Sequence, residues 1–201
     1  MILTGTLAPG GELRLDDLAE SLEVSTMPVR EAMLRLSHDG LVEAHPNRSF
    51  RVARFSRDDV DDILRTHAFL AGELAARAAV RAQPPLDLEL KAIEDRWDAA
   101  EESALDELNR RFHRRINGAA QAQTLVLVLR TATRFIPQHF YPIIPEWREV
   151  ARRGHADLAT AIGSRDAEAA QAAAREHVMD VGNLLLAHFS DRGYWLTPRP
   201  V

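Results

Sequence analysis

The chain has no cysteine among its 201 residues. That excludes disulfide staples, a thiolate metal site and a cysteine nucleophile. It also lacks any run near the roughly 18 continuous apolar residues that a membrane-spanning helix needs. Its first residues show no basic segment followed by an apolar one, the mark of a secretory signal. A cytoplasmic location without membrane association is therefore expected. Excess positive charge is missing too: the formal net charge is -5 and the isoelectric point about 5.9. This excludes a globally basic nucleic-acid binder, although a local positive patch suffices for a small DNA-reading module. Strand signals stop after Val52. What is present is apolar material, 46% of residues, enough to give one or two domains real cores at this length.

The stretch Val24 to Leu36, VSTMPVREAMLRL, organises the N-terminal part. Ser25 is placed to cap a helix, and Pro28 falls in the first turn, where its missing N–H costs nothing. Val29, Ala32, Met33 and Leu36 recur at helical spacing and predict a buried stripe. Thr26 and Arg30 share another face. Upstream, Leu15, Leu18, Ala19 and Leu22 predict a second short amphipathic helix, and the joint Glu23-Val24-Ser25 is tight. The pair is a helix-turn-helix, whose second helix can enter a DNA major groove. Gly40 stops that helix. Two strand-like runs, Leu41 to Ala44 and Phe50 to Ala53, flank the turn-rich His45-Pro46-Asn47-Arg48-Ser49 and predict a wing. Arg48, Arg51, Arg54 and Arg57 form a basic run suited to phosphate or minor-groove contact. The predicted DNA contacts are Ser25, Thr26, Met27 and Arg30 on the helix, with Asn47, Arg48 and Ser49 in the wing. The partner expected is double-stranded operator DNA, read by a homodimer because one weakly charged module binds poorly alone.

Beyond Phe55 the pattern is helical throughout. Ser56 with Asp59 three residues on resembles a capping box. Val60, Ile63, Leu64, Phe69, Leu70 and Leu74 carry that helix to about Arg81. Leu86 to about Ala100 is polar, with Leu88, Ile93 and Trp97 as anchors. Helices are then predicted from Ser103 to about Ala120, Thr124 to about Ile136, Glu146 to Ile162 and Asp166 to about Ser190. The fold expected is mainly α: a winged helix-turn-helix over residues 1–55 and an antiparallel all-helical bundle over 56–201.

Asn109 and His113 share one helix face. His155 stands eight residues before Gly163 and His177 eleven after Asp166. At ~1.5 Å per residue those are about 12 and 16 Å from the same turn, so a hairpin brings both to one level. Neutral imidazoles from facing helices build metal sites in bundles. Histidines on helices are equally at home as surface or polar core residues, and spacing does not choose. His67 is either a polar pocket group or a satisfied interhelical histidine. Arg130 and Arg134 are a solvated pair, or one of them, Arg134 by preference, turns inward to clamp a carboxylate. Tyr141, Gln138 and His139 are placed to close such a pocket. Trp97, Trp147 and Trp195 are expected as packing anchors, and His188 as structural.

The run from Leu7 to Val52 resembles the DNA-binding domain of GntR-family bacterial regulators. Pro9-Gly10, Leu18-Ala19, Val24-Ser25, Pro28 to Ala32 and Gly40 to Val42 stand at the family's spacings. Thr26 replaces an arginine that commonly reads a guanine, and Ser49 replaces the wing's usual glycine. The family's first helix is expected ahead of Ile2. Asn109 to Ile116, NRRFHRRI, resembles the D-x-x-F-H-x-x-L motif of the FCD ligand domain in FadR-type members. Arg153 to Ile162 resembles its E-H-x-x-I-x-x-A-I, and Asp166 to Ala170 with Arg175 to Val178 its D-x-x-x-A…H-L ending. This resemblance spans about Asp58 to Phe189. It implies an effector-binding and dimerisation domain in which Asn109, His113, His155 and His177 hold a divalent metal ion, zinc first among the candidates. Asn109 stands for the family's aspartate, so the donor set is neutral and weaker. Protons should compete for the histidines below about pH 6.5. The family's R-x-x-L-E reads His67-Ala68-Phe69-Leu70-Ala71 here, which makes the effector less transferable than the fold.

The expected function is a ligand-responsive transcription regulator, a repressor released by a small carboxylate-containing effector, and not an enzyme. The alternative is a metal-dependent hydrolase on a helical scaffold, with the metal activating water. No H-E-x-x-H motif supports it, and it leaves the helix-turn-helix unexplained. A third reading is a metal-free regulator whose histidines bind an anionic ligand directly.

Overall fold

A computed structural model describes residues 9–38, 40–45, 49–81, 86–133, 141 and 144–191. The chain divides into two compact units: Met1–Val60 with Phe189–Val201, and Asp61–His188.

In the first unit, α1 (Leu15–Ser21) and α2 (Thr26–His38) form the helix-turn-helix. The turn is tight because Glu23 takes φ 54° and the Val24 N–H donates to Ala19 O at 3.0 Å. Val29 is buried, and Met33 and Leu36 pack on a cluster of Leu13, Val42, Phe50 and Val52. Two expected members of the apolar faces are instead exposed. Ala32 lies at the edge of the stripe, about 60° from Val29 at ~100° per residue. Leu22 is 58% exposed, because α1 has ended one residue earlier and the chain is already turning.

The wing is an antiparallel pair, β2 (Val42–His45) and β3 (Ser49–Val52), with Val42 opposite Val52 and His45 opposite Ser49. Each strand is displaced by one residue from its expected position. An unanticipated strand, β1 (Glu12–Leu13), pairs with β3 and makes the order β1-β3-β2. Two residues are too few to show a period; only Leu13 between polar neighbours hints at it. By placing β3 centrally, β1 helps bury Phe50 and Val52.

α3 (Arg57–Arg81) starts on the expected capping box: the Asp59 N–H donates to Ser56 Oγ at 3.1 Å, and the Ser56 N–H donates to Asp59 Oδ2 at 2.8 Å. The second unit continues with α4 (Leu86–Glu94), α5 (Glu102–Ala119), α6 (Gln123–Thr133), α7 (Trp147–Gly163) and α8 (Ala167–Asp191). α4 packs on both α5 and α7. Leu64, Leu74, Leu90, Phe112, Leu158 and Ile162 are fully buried, with Trp97 and Trp147 among them. Trp97 Nε1–H donates to Arg148 O at 3.2 Å, and the Arg148 guanidinium donates back to Trp97 O at 2.8 Å. Asp166 caps α8, accepting from the Ala169 N–H at 3.0 Å.

Two expected anchors are not in the core. Leu88 is 65% exposed, because Leu86, Leu90 and Ile93 form the inner face of α4 and Leu88 falls opposite. Phe69 is 55% exposed, with the Arg175 guanidinium 5.5 Å from its ring centroid. His188 is buried. Among the described residues no helix is long and apolar enough to cross a membrane. Gln138, His139 and Trp195 lie outside the described residues.

Candidate metal centre, effector cavity and DNA-reading helix

Three helices each deliver one imidazole to a common point. His113 on α5, His155 on α7 and His177 on α8 offer nitrogens that all lie within 4.8 Å of one another. His113 Nε2 and His177 Nε2 are 3.3 Å apart. The α7–α8 hairpin sets the His155 and His177 ring centroids 4.8 Å apart.

His155 is the most enclosed, at 1% exposure. Its ring stacks on Phe112 at 4.1 Å and meets the edge of Trp97 at 5.0 Å. Its Nδ1 lies 3.9 Å from Glu94 Oε1, and its Nε2 is buried without a hydrogen-bond partner. His177 Nδ1 is likewise buried and unpartnered. The close approach of α7 to this ring requires Gly154, since an added Cβ would collide with the His177 imidazole.

Burial disfavours the imidazolium form throughout. His113 and His155 are held well below the usual histidine range, by desolvation first and by their neighbours' charge second. His177 is lowered to about 4, again by burial and then by His67. The cluster therefore presents neutral imidazoles with unused buried nitrogens, each costing about 1–3 kcal/mol if left unsatisfied. Neutral imidazoles suit zinc and related divalent ions, so this donor set fits such an ion.

Beside the cluster is a cavity of about 960 Å³, lined among others by His67, Asn109, His113, Arg130, Tyr141 and His177. His155 is not among its lining residues, so His113 and His177 form the wall between cluster and cavity. His67 Nδ1 is buried and unpartnered, and burial lowers its pKa to about 4. Tyr141 stacks on Trp147 at 6.0 Å, and burial together with Asp106 raises its phenol. Arg130 lines the cavity from an exposed position on α6. Trp147, expected only as a packing anchor, also lines it.

Three site residues escaped the sequence reading. Asp106 is 4% exposed and ion-paired with Arg110 one turn along α5, and both line the cavity. Their i,i+4 spacing on the His113 helix is a signal that was there to find. Glu94 carries no such signal. It ends α4, and burial raises its carboxyl to about 7.

In the helix-turn-helix, Ser25, Thr26 and Met27 are exposed at the start of α2, Met27 at 65%. Arg30 is half-buried one turn on, and Ser49 is half-buried at the start of β3. Asn47, Arg48 and Arg134 lie outside the described residues.

Comparison with known families matches residues 1–52 to the "Bacterial regulatory proteins, gntR family" and residues 62–180 to the FCD domain. This chain belongs to the GntR family. Like an uncharacterised HTH-type transcriptional regulator of Mycobacterium tuberculosis, 30% identical over 86% of this chain and 71% of that one, it is a transcription regulator. The HTH-type transcriptional repressor RspR of Escherichia coli is 26% identical over 95% of this chain and 86% of its own length. Among solved structures, E. coli McbR/YncC superposes with a TM-score of 0.67 at 25% identity, covering 94% of this chain and 92% of that one. The GntR and FCD matches make the chain a ligand-responsive regulator, and the relatives give the hydrolase alternative no support.

Proposed function

We propose that this GntR regulator is a cytoplasmic homodimeric repressor, released from its operator when a small carboxylate-containing effector enters the FCD cavity. The division of labour follows the sequence boundaries: residues 1–55 read DNA, and 56–201 bind effector and pair the subunits. The observation that carries the reading is the meeting of three neutral imidazoles, His155 and His177 buried and His113 partly so, beside a cavity of about 960 Å³ that His113 and His177 line.

His113, His155 and His177 would hold a divalent ion, with Asn109 as a neutral fourth donor. Bound there, the ion supplies a positive centre for an anionic group. The chain's own residues do the rest. His67 offers a neutral nitrogen to the ligand, Arg130 or Arg134 meets a carboxylate, and Tyr141 contributes a phenol that stays protonated. RspR, a named repressor, supports the sign of regulation.

DNA reading falls to Ser25, Thr26, Met27 and Arg30 in the major groove and to Asn47, Arg48 and Ser49 in the wing. With a net charge of -5, one module gains too little from phosphate contacts. Two modules on an inverted repeat restore affinity.

Selection of bound sequences from a random DNA library, with the solution mass of the free protein, tests this directly. The expected results are an inverted repeat, a mass twice that of the chain, and release of the selected DNA by members of a small mono- and dicarboxylate panel. His113→Ala should keep DNA binding and lose the response. A monomer with no selected sequence would sink the proposal.

A further inference from the structure

We infer that Glu94 completes the metal centre from behind, anchoring His155 through Nδ1 and supplying the negative charge that Asn109 does not. This rests on the metal reading above and concerns a residue outside the expected donor set.

The geometry begins with the His155 ring. It is held between the face of Phe112, at 4.1 Å, and the edge of Trp97, at 5.0 Å. Packed so, it cannot rotate freely to choose which nitrogen it presents. Nδ1 is turned to Glu94 Oε1, 3.9 Å away. That leaves Nε2, buried and without a hydrogen-bond partner, as the donor for the cluster. A metal-bound histidine usually donates its other N–H to a carboxylate, which fixes the tautomer and strengthens the ligand.

Glu94 is suited to that task by what surrounds it. Its side chain is only 19% exposed. The cations that act on it are engaged elsewhere: Lys91 by Asp95 at 2.8 Å and Arg152 by Glu149 at 2.8 Å. Among the described residues His155, at 3.9 Å, is the one basic side chain within 4 Å of its carboxyl. α4 packs on α7, so the helix that carries Glu94 is seated against the helix that carries His155.

The present separation is longer than a hydrogen bond, and an ion on Nε2 would draw the pair together. Withdrawing electron density from the ring makes Nδ1–H a better donor, and the carboxylate offsets the charge of the ion. An aspartate at position 109 would have supplied that charge directly; here it comes through the histidine.

The test uses the full-length protein stripped of metal and titrated with cobalt(II), followed by displacement with zinc(II). Glu94→Gln keeps the shape of the side chain and removes its charge. It is expected to weaken both ions about 10- to 100-fold, with unchanged stoichiometry and no fall in the melting temperature of the stripped form. Glu94→Leu should weaken them further. In the zinc-loaded wild type, nitrogen-15 spectra of the histidines should show His155 protonated at Nδ1, a readout that does not depend on either variant folding.

Wild-type affinity in Glu94→Gln, or a His155 proton on Nε2, would overturn the role of Glu94. Loss of binding in His113→Ala would then leave the three-histidine site standing. A wild-type protein that takes up neither ion would overturn the metal reading and this inference with it.

Discussion

His113 and His177 meet Nε2 to Nε2 at 3.3 Å although 64 residues separate them in the chain. Without a third party, such a pair is satisfied only when one ring carries the N–H and the other the lone pair. A divalent cation satisfies both lone pairs at once. Replacing His113 with Ala should therefore abolish tight metal binding in calorimetric titration of the stripped protein. Asn109→Asp should tighten it, because a carboxylate attracts the cation and donates better. No gain from Asn109→Asp, together with a harmless His113→Ala, would dismiss the triad as a metal site.

Stability of the metal-free protein should depend on pH. Burial holds His67 and His177 at about 4, and His113 and His155 well below the usual value. The unfolded chain titrates near 6.5, so from about 6.5 down to about 4 it binds more protons than the folded chain. Stability is then present above that window and lost as pH falls through it, by up to about 1.4 kcal/mol per pH unit for each histidine. Glu94, raised from 4.5 to about 7, works the other way and offsets one histidine between about 4.5 and 6.5. The melting temperature should fall between pH 6.5 and 4, and a flat profile would contradict the neutral cluster. With the same burial, protons should compete with metal at a lower pH than the unperturbed histidine value of about 6.5.

Gly154 leaves room for the His177 ring. Alanine there would gain ~1 kcal/mol of helix propensity. It would also force the imidazole aside at an overpacking cost of about 1–3 kcal/mol. Gly154→Ala should weaken metal binding and leave DNA binding intact. Retained metal affinity would mean that the ring position is not critical.

Arg30 lies one turn beyond the exposed Thr26 and Met27 on α2. Arg30→Ala should cost about 1–3 kcal/mol in affinity for the selected operator without loss of fold. Undiminished binding in a mobility-shift assay would remove Arg30 from the interface.

The helices and the helix-turn-helix were legible because their signals are local. Ser56 and Asp59 cap α3 within four residues, and Glu23 turns the chain between two short amphipathic helices. The arithmetic of the α7–α8 hairpin likewise placed His155 beside His177, since helical rise is fixed by the backbone. β1 was not legible, because a two-residue strand exists only through its pairing with β3.

The sequence by itself determined the mainly helical architecture, the helix-turn-helix and which histidines could share a level, all consequences of backbone periodicity and capping within a turn or two. Only the tertiary structure decided which side chains those histidines meet. The packing of α4 on α7 brings Glu94 to His155, and α5 carries Asp106 and Arg110 into the cavity wall. Burial, which sets whether these groups carry charge, is likewise decided by packing between elements far apart in the chain. No local pattern encodes it.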